Sequence, residues 1–326
     1  DSFSLPGKGE IDPTSITSIF YYVLFGLMFS DAAYGAILFF GCLWATKKFP
    51  NMEIGMRRML KLFQYSGLAT IFWGFIFGSF FGDIITIVGR VFFGVEVAFP
   101  TLWFSPTENP MLMLVFSMGI GVIHLYAGLI CCFYQHWKNK RYLDAIYDTV
   151  FWLMLITGLI LMLVPSSMFQ DMSQIYVTFP PIVGTLAVWM AILGAIGIVL
   201  TGGRDAASLP GRIASGLYSL YGATSWLSDI LSYSRLLALG LATGVVASVV
   251  NQMGSMLGGG VVGAIVLILV FIIGQALNFG INLLGSYVHT NRLQYVEFYG
   301  KFYEGGGRPF RPFGVHTKYY KFQEDK

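Results

Sequence analysis

Two arginines occupy positions that an apolar chain would be expected to refuse. Arg235 lies in Trp226-Leu-Ser-Asp-Ile-Leu-Ser-Tyr-Ser-Arg-Leu-Leu-Ala-Leu-Gly and Arg292 in Gly285-Ser-Tyr-Val-His-Thr-Asn-Arg-Leu-Gln-Tyr-Val-Glu, each within a long hydrophobic run. An arginine at mid-membrane costs roughly 2.5–3.5 kcal/mol even on the lenient insertion scale. It cannot escape by releasing its proton, because its pKa exceeds about 12. Charges in such places mark ion or substrate pathways. Ser225, Ser228, Ser232 and Arg235 step by 3, 4 and 3 residues, which puts them on one helix face, with Asp229 one position off it. Gln275, Asn278, Asn282, Gly285, His289 and Arg292 step by 3, 4, 3, 4 and 3, a second polar stripe more than four turns long. Facing lipid, that stripe would leave many polar groups unsatisfied, so it is expected to face other helices or water. Taken singly, the serines read as ordinary interhelical hydrogen-bond partners. A permanent Arg235–Asp229 pair that only glues helices is the bland alternative for the first arginine.

Further embedded groups are His124, Asp31, Asp83 and Asp148. His124 reads first as a packed, hydrogen-bonded histidine and second as a proton relay. Asp83 is placed near the outer end of its span, where a cap or interfacial role is expected, and Asp148 near a helix start, where it complements the dipole. Cys42, Cys131 and Cys132 all lie in apolar runs and read as small core residues, without a disulfide framework or metal site. No nucleophile–base pair, nucleotide loop or metal cluster appears, so no cofactor and no catalysis by this chain itself are expected.

The elements that must position these residues follow from composition. Hydrophobic residues make up 56% of the 326 and charged ones only 11%, too few to clothe a soluble surface, for which about 25% is usual. Lipid must cover much of this protein, and the net charge of +3, spread over loops, argues against nucleic acid. At roughly 20 residues per crossing, spans are expected at 62–88, 110–134, 145–168, 180–200, about 213–250 and about 260–298. The stretch 14–46 is too long for one span, and Ser30-Asp31 at its middle predicts a hairpin of two short helices, 14–30 and 31–46, the second capped near Asp31. Loop charge supports this. Lys47, Lys48, Arg57, Arg58 and Lys61, then Lys138, Lys140 and Arg141, then Arg204 and Arg212, alternate with loops whose one basic residue is Arg90. The positive-inside rule then gives about eight helices with both termini cytoplasmic. The expected fold is an all-α polytopic membrane bundle. Its last two helices are long and tilted, since 39 residues of helix would measure about 58 Å at roughly 1.5 Å per residue.

In this topology the serines lie on the cytoplasmic side of Arg235, and Gln275, Asn278 and Asn282 on the external side of Arg292. Two offset polar half-channels, each ending at a fixed positive charge, would block a direct leak. An ion would cross only if a carrier moved it sideways from one to the other.

These two stretches also resemble a known family. The segment from Ser225 to Ala242 is similar to the penultimate helix of subunit a, called subunit I in bacteria and archaea, of V-type and archaeal-type rotary ATPases. The segment from His289 to Phe313, with Lys301-Phe-Tyr-Glu-Gly-Gly-Gly, resembles the end of its last helix, and Met28-Phe-Ser-Asp-Ala-Ala-Tyr-Gly matches an early signature. The resemblance implies an eight-helix membrane half (14–298) in a prokaryotic cell membrane. It further implies a cytoplasmic tail (299–326) and a linker (1–13) from a preceding cytoplasmic domain; residues 1–13 also carry no signal-peptide pattern. It implies partners: a rotating ring of small subunits whose carboxylates bind H⁺ or Na⁺, the peripheral stalk and other ATPase subunits. Arg235 and Arg292 would be the arginines that discharge the ring. Where vacuolar members carry Glu and His near the external half-channel, this sequence has the neutral Asn282 and Thr243, so a proton path would lean on water and His289. The competing readings are a secondary transporter binding an anion at Arg235, which would predict an internal repeat that is not evident, and a non-conducting scaffold.

Overall fold

The computed structural model describes residues 3–95, 97, 101–203, 209–256, 258 and 260–308. Arg204 and the tail beyond Arg308 lie outside them. Among the described residues the chain is helical, with no strand beyond two isolated bridges, Leu5–Gly307 and Phe80–Asp83.

The expected hairpin is present: α1 (Thr14–Phe29) turns at Ser30-Asp31 into α2 (Ala32–Lys48). The fully buried Asp31 caps α2, accepting from the backbone N–H of Ala33 (3.0 Å) and Tyr34 (3.2 Å). The same carboxylate accepts from Ser79 Oγ (2.6 Å), Phe81 N (3.1 Å) and Gly82 N (2.9 Å), tying the hairpin turn to the end of the next helix. That helix, α3 (Ile54–Phe77), starts earlier and stops sooner than the expected 62–88. Arg57, Arg58 and Lys61 wind into its first turns, and Gly78 ends it in the left-handed conformation (φ 71°), which a side chain would strain. Residues 84–88 are a separate short helix, α4 (Ile84–Val88), continued by a π turn, Gly89–Phe93.

Next come α5 (Pro110–Lys138) and α6 (Tyr142–Ala145), which passes through a π turn, Ile146–Val150, into α7 (Phe151–Leu163). Asp148 therefore sits inside this continuous helix, about two turns from its start rather than in its first turn. A short α8 (Ser167–Ser173) and α9 (Pro181–Thr201) follow.

The run expected as one helix at 213–250 is three segments, α10 (Leu209–Tyr221), α11 (Ala223–Ser232) and α12 (Ser234–Ser255). The joints at Gly222 and Tyr233 carry tighter three-residue hydrogen bonds, Gly222 N to Ser219 O (2.9 Å) and Tyr233 N to Ile230 O (3.1 Å), which interrupt the regular α-helical pattern. Last, α13 (Val261–Arg292) loosens into a π turn, Leu293–Phe298, and closes in a 3₁₀ turn, Tyr299–Lys301.

Among the described residues five helical runs are long and apolar enough to cross a membrane: Pro110–Lys138, Tyr142–Leu163, Pro181–Thr201, Ile213–Ser255 and Val261–Lys301. At 16 and 17 residues, α1 and α2 are shorter than a full crossing, and α3 carries three basic residues. One core unites these parts: Leu24, Leu27 and Met28 of α1 meet Phe77, Leu125, Tyr233, Leu236 and Leu293. Close approach of α2 and α3 rests on glycine, for a Cβ on Gly35 would lie 2.7 Å from Ile71 N, and one on Gly67 2.9 Å from Phe39 N.

Candidate functional site

Arg235 is the second residue of α12, just past the joint at Tyr233. Its side chain is 24% exposed, so the guanidinium reaches the surface. Nη1 donates to Glu297 Oε1 at 3.4 Å and Nη2 to Ser232 Oγ at 3.3 Å. Glu297 is buried, and its Oε2 has no hydrogen-bond partner. Asp229 is not Arg235's partner. It pairs with Lys301, whose ammonium also lies 3.7 Å from the centroid of the Trp226 ring. Ser225 and Ser228 lie exposed on α11, and Ser232 Oγ back-bonds to Ser228 O (3.0 Å) while accepting from Arg235.

The 275–292 stripe divides into two parts. Its first half is buried between α2, α12 and α13: Gln275 pairs with the Tyr34 hydroxyl and donates to Asn251 Oδ1 (2.8 Å) and Ala247 O (3.2 Å). Asn278 donates to Tyr34 Oη (2.9 Å) and Thr243 O (3.2 Å), and Asn282 to Asn278 O (2.9 Å). Its second half turns outward. His289 is partly exposed and lies within electrostatic reach of both Arg235 and Arg292, with its Nδ1 unpartnered. Arg292 is exposed and has no hydrogen-bond or ion-pair partner among the described residues. The divergence is geometric. Steps of 3, 4, 3, 4 and 3 cover 17 residues where five turns of helix take about 18, so by Arg292 the face has rotated by about 100° from Gln275. Arg292 thereby joins an exposed apolar line through Leu277, Ile281, Leu284 and Val288.

His124 is buried in α5, its Nδ1 2.7 Å from Tyr233 Oη and its ring stacked on Phe298 (4.5 Å, 12°) and against Phe20 (4.3 Å). It thus braces the joint next to Arg235, with the Gln294 side chain on its other flank. Asp83 stands at the N-cap of α4 without a capping bond and instead accepts from Asn251 Nδ2 (3.2 Å). With Ser79, Ser105, Glu108 and Ser248 it lines a polar cavity of about 300 Å³ that reaches Gly240 and Gly244 of α12. No group of three or more His, Cys, Asp or Glu among the described residues is arranged to hold a metal.

Residues 224–315, the stretch holding both arginines, Glu297 and Lys301, match the V-type ATPase 116kDa subunit family. Over 98% of its length the chain is 30% identical to the A-type ATP synthase subunit I of Methanocaldococcus jannaschii, covering 47% of that protein. Against its counterpart from Pyrococcus horikoshii identity is 33% over 97% of this chain and 45% of the relative, and against the V-type ATP synthase subunit I of Borreliella burgdorferi 26% over 95% and 50%. The chain resembles subunit I of the A-type and V-type ATP synthases. It spans about half the length of the curated relatives it matches. Against the subunit I background, the residues that the sequence reading passed over are Glu297, Lys301, Gln294, Tyr34 and Glu108. A carboxylate inside Tyr295-Val-Glu-Phe-Tyr was the available signal for Glu297, since an acid in so aromatic a run needs a buried partner.

Proposed function

We propose that this chain is the membrane stator of a rotary ATPase or ATP synthase, in which Arg235 and Arg292 discharge the ion-binding carboxylates of a rotating ring. The observation that carries the reading is Arg292: an exposed permanent cation, without a partner among the described residues, on an otherwise apolar helix face. Lipid against that face would strand the charge, whereas a passing carboxylate would satisfy it. A guanidinium opposite a carboxyl group in a low-dielectric setting favours its ionised form, so the ring site releases H⁺ or Na⁺ there and reloads after moving on. Glu297 and Ser232 aim the Arg235 fork, and His289 stands near both cations. Lysine would serve poorly, since it can lose its proton when buried.

In the eight-crossing topology, Ser225 and Ser228 flank the cytoplasmic approach to Arg235. The outer approach is better supplied by the polar cavity at Asp83 and Glu108, which reaches Gly240, than by Gln275 and Asn278, whose amides are engaged by Tyr34, Asn251 and the α12 backbone. The buried amide network suits a scaffold, yet a scaffold gives Arg292 no task. The test is ATP-driven ion uptake in liposomes holding the whole complex, wild type against Arg235→Gln. A fully assembled mutant whose uptake collapses supports the stator reading. Near-normal uptake sinks the two-half-channel account, and a mutant that fails to assemble points to the scaffold.

A further inference from the structure

A second cavity, of about 340 Å³, lies at the far end of α13 from the amide network. One wall is the segment before α1, held in place by Glu10, whose carboxylate accepts from Glu304 N (2.9 Å) and Gly305 N (3.1 Å), and by Gly307 N donating to Leu5 O (3.0 Å). The rest sets Tyr21 of α1 and Tyr287, Tyr295 and Tyr299 along the end of α13 beside Leu62, Thr17 and Asn291. Asp12 supplies the formal charge, and no cationic side chain is among the described residues of the lining. Bonds from Thr14, at 2.5 Å from its hydroxyl and 3.0 Å from its backbone N–H, hold the Asp12 carboxyl below its ordinary range and so keep it anionic. The Tyr21 hydroxyl in this lining is buried and makes no hydrogen bond among the described residues, while the Gln294 amide beside it faces His124. Native buried polar groups are nearly always satisfied, so the Tyr21 hydroxyl points to an occupant.

We infer that this cavity binds an organic cation, a primary or quaternary amine held against the tyrosine rings with Asp12 as counter-charge and Tyr21 at its back. Aromatic faces attract cations through the ring quadrupole, and aromatic cages recognise quaternary ammonium groups in this way. The volume suits a headgroup-sized ligand. The Asp12 carboxylate disfavours an anion, and a neutral apolar ligand would leave the Tyr21 hydroxyl unsatisfied. The shared chemistry has two sources, a soluble amine or the headgroup of an aminolipid. The site is independent of the ion-transfer reading and is expected to survive Arg235→Gln.

The test is saturation-transfer NMR of choline on the purified assembly that carries this chain, with 3,3-dimethylbutan-1-ol as the neutral isostere. Choline should show transfer and the isostere little. Asp12→Asn and Tyr299→Leu should each weaken the choline signal by at least about fivefold. Asp12 is an exposed surface group, so its variant retains the fold, which its thermal unfolding checks. In nanodiscs of phosphatidylcholine, loss of the free-choline signal identifies a headgroup occupant, and persistence identifies a soluble amine; phosphatidylglycerol discs should leave the signal intact. Equal transfer to choline and its isostere, no transfer to either, or an unchanged signal in Asp12→Asn overturns the proposal.

Discussion

At the scale of single residues, the ion pair that matters is between Arg235 and Glu297, 62 positions apart. Glu297 is buried and Arg235 reaches the surface, so the pair works as a hinge, with its acid fixed and its cation presented. Glu297→Gln removes the fixed charge while keeping the shape. We expect an assembled complex with uptake lowered to about a tenth or less, equivalent to a barrier rise of roughly 1.4 kcal/mol. Retention of normal uptake by an assembled Glu297→Gln complex would show that Arg235 needs no anchor. Arg292→Gln has no partner to strand within the described residues. It should leave thermal stability within about 0.5 kcal/mol of wild type while lowering uptake, and a clear loss of stability would place Arg292 among packing residues instead. Both arginines were legible in the sequence, because a permanent charge in an apolar run is conspicuous. Glu297 was not, because its partner lies on another helix and no local spacing reveals a contact across 62 residues.

At the scale of elements, the hairpin turn was readable from Ser30-Asp31, since a short acidic residue between two apolar runs offers the capping acceptor that a new helix needs. The tie to the end of α3 was not readable, for it depends on where the chain returns. Asp31 accepts from five donors while buried. Asp31→Ala should therefore cost well beyond a simple cap, about 3 kcal/mol or more, by leaving buried N–H groups unpaired. Asp31→Asn should recover part of it. Thermal unfolding checks both, and a loss near 1 kcal/mol would mean that the α3 contacts contribute nothing. The same lesson applies to the serine stripe. Periodicity says which residues share a helix face, and the pairing of Asp229 with Lys301 is a contact across 72 residues that no local spacing reveals.

At the scale of the whole molecule, hydropathy located the five long apolar runs, because a crossing needs length and little else. It does not settle α1, α2 and α3, which are short or charged at one end. Eight crossings make a prediction that labelling checks. A cysteine placed at Lys140 should react with an impermeant thiol reagent from the cytoplasmic side, and one placed at Gln174 from the opposite side. Both reacting from one side would remove the crossing formed by α6 and α7. The native Cys42, Cys131 and Cys132 are all buried, so their background should be low.

The π turn at Leu293–Phe298 has a bearing on how this chain tolerates change. Such a turn amounts to one surplus residue in an otherwise regular helix. Deleting a single residue there would let the turn close in ordinary winding with what lies beyond it near its present phase, whereas the same deletion in the regular part of α13 would swing everything beyond it by about 100°. Only in the second case would Glu297, Lys301 and the surface that meets the segment before α1 lose register together, although no polar side chain need be altered. Length variation among related chains should therefore collect in those six positions and be rare along the rest of α13.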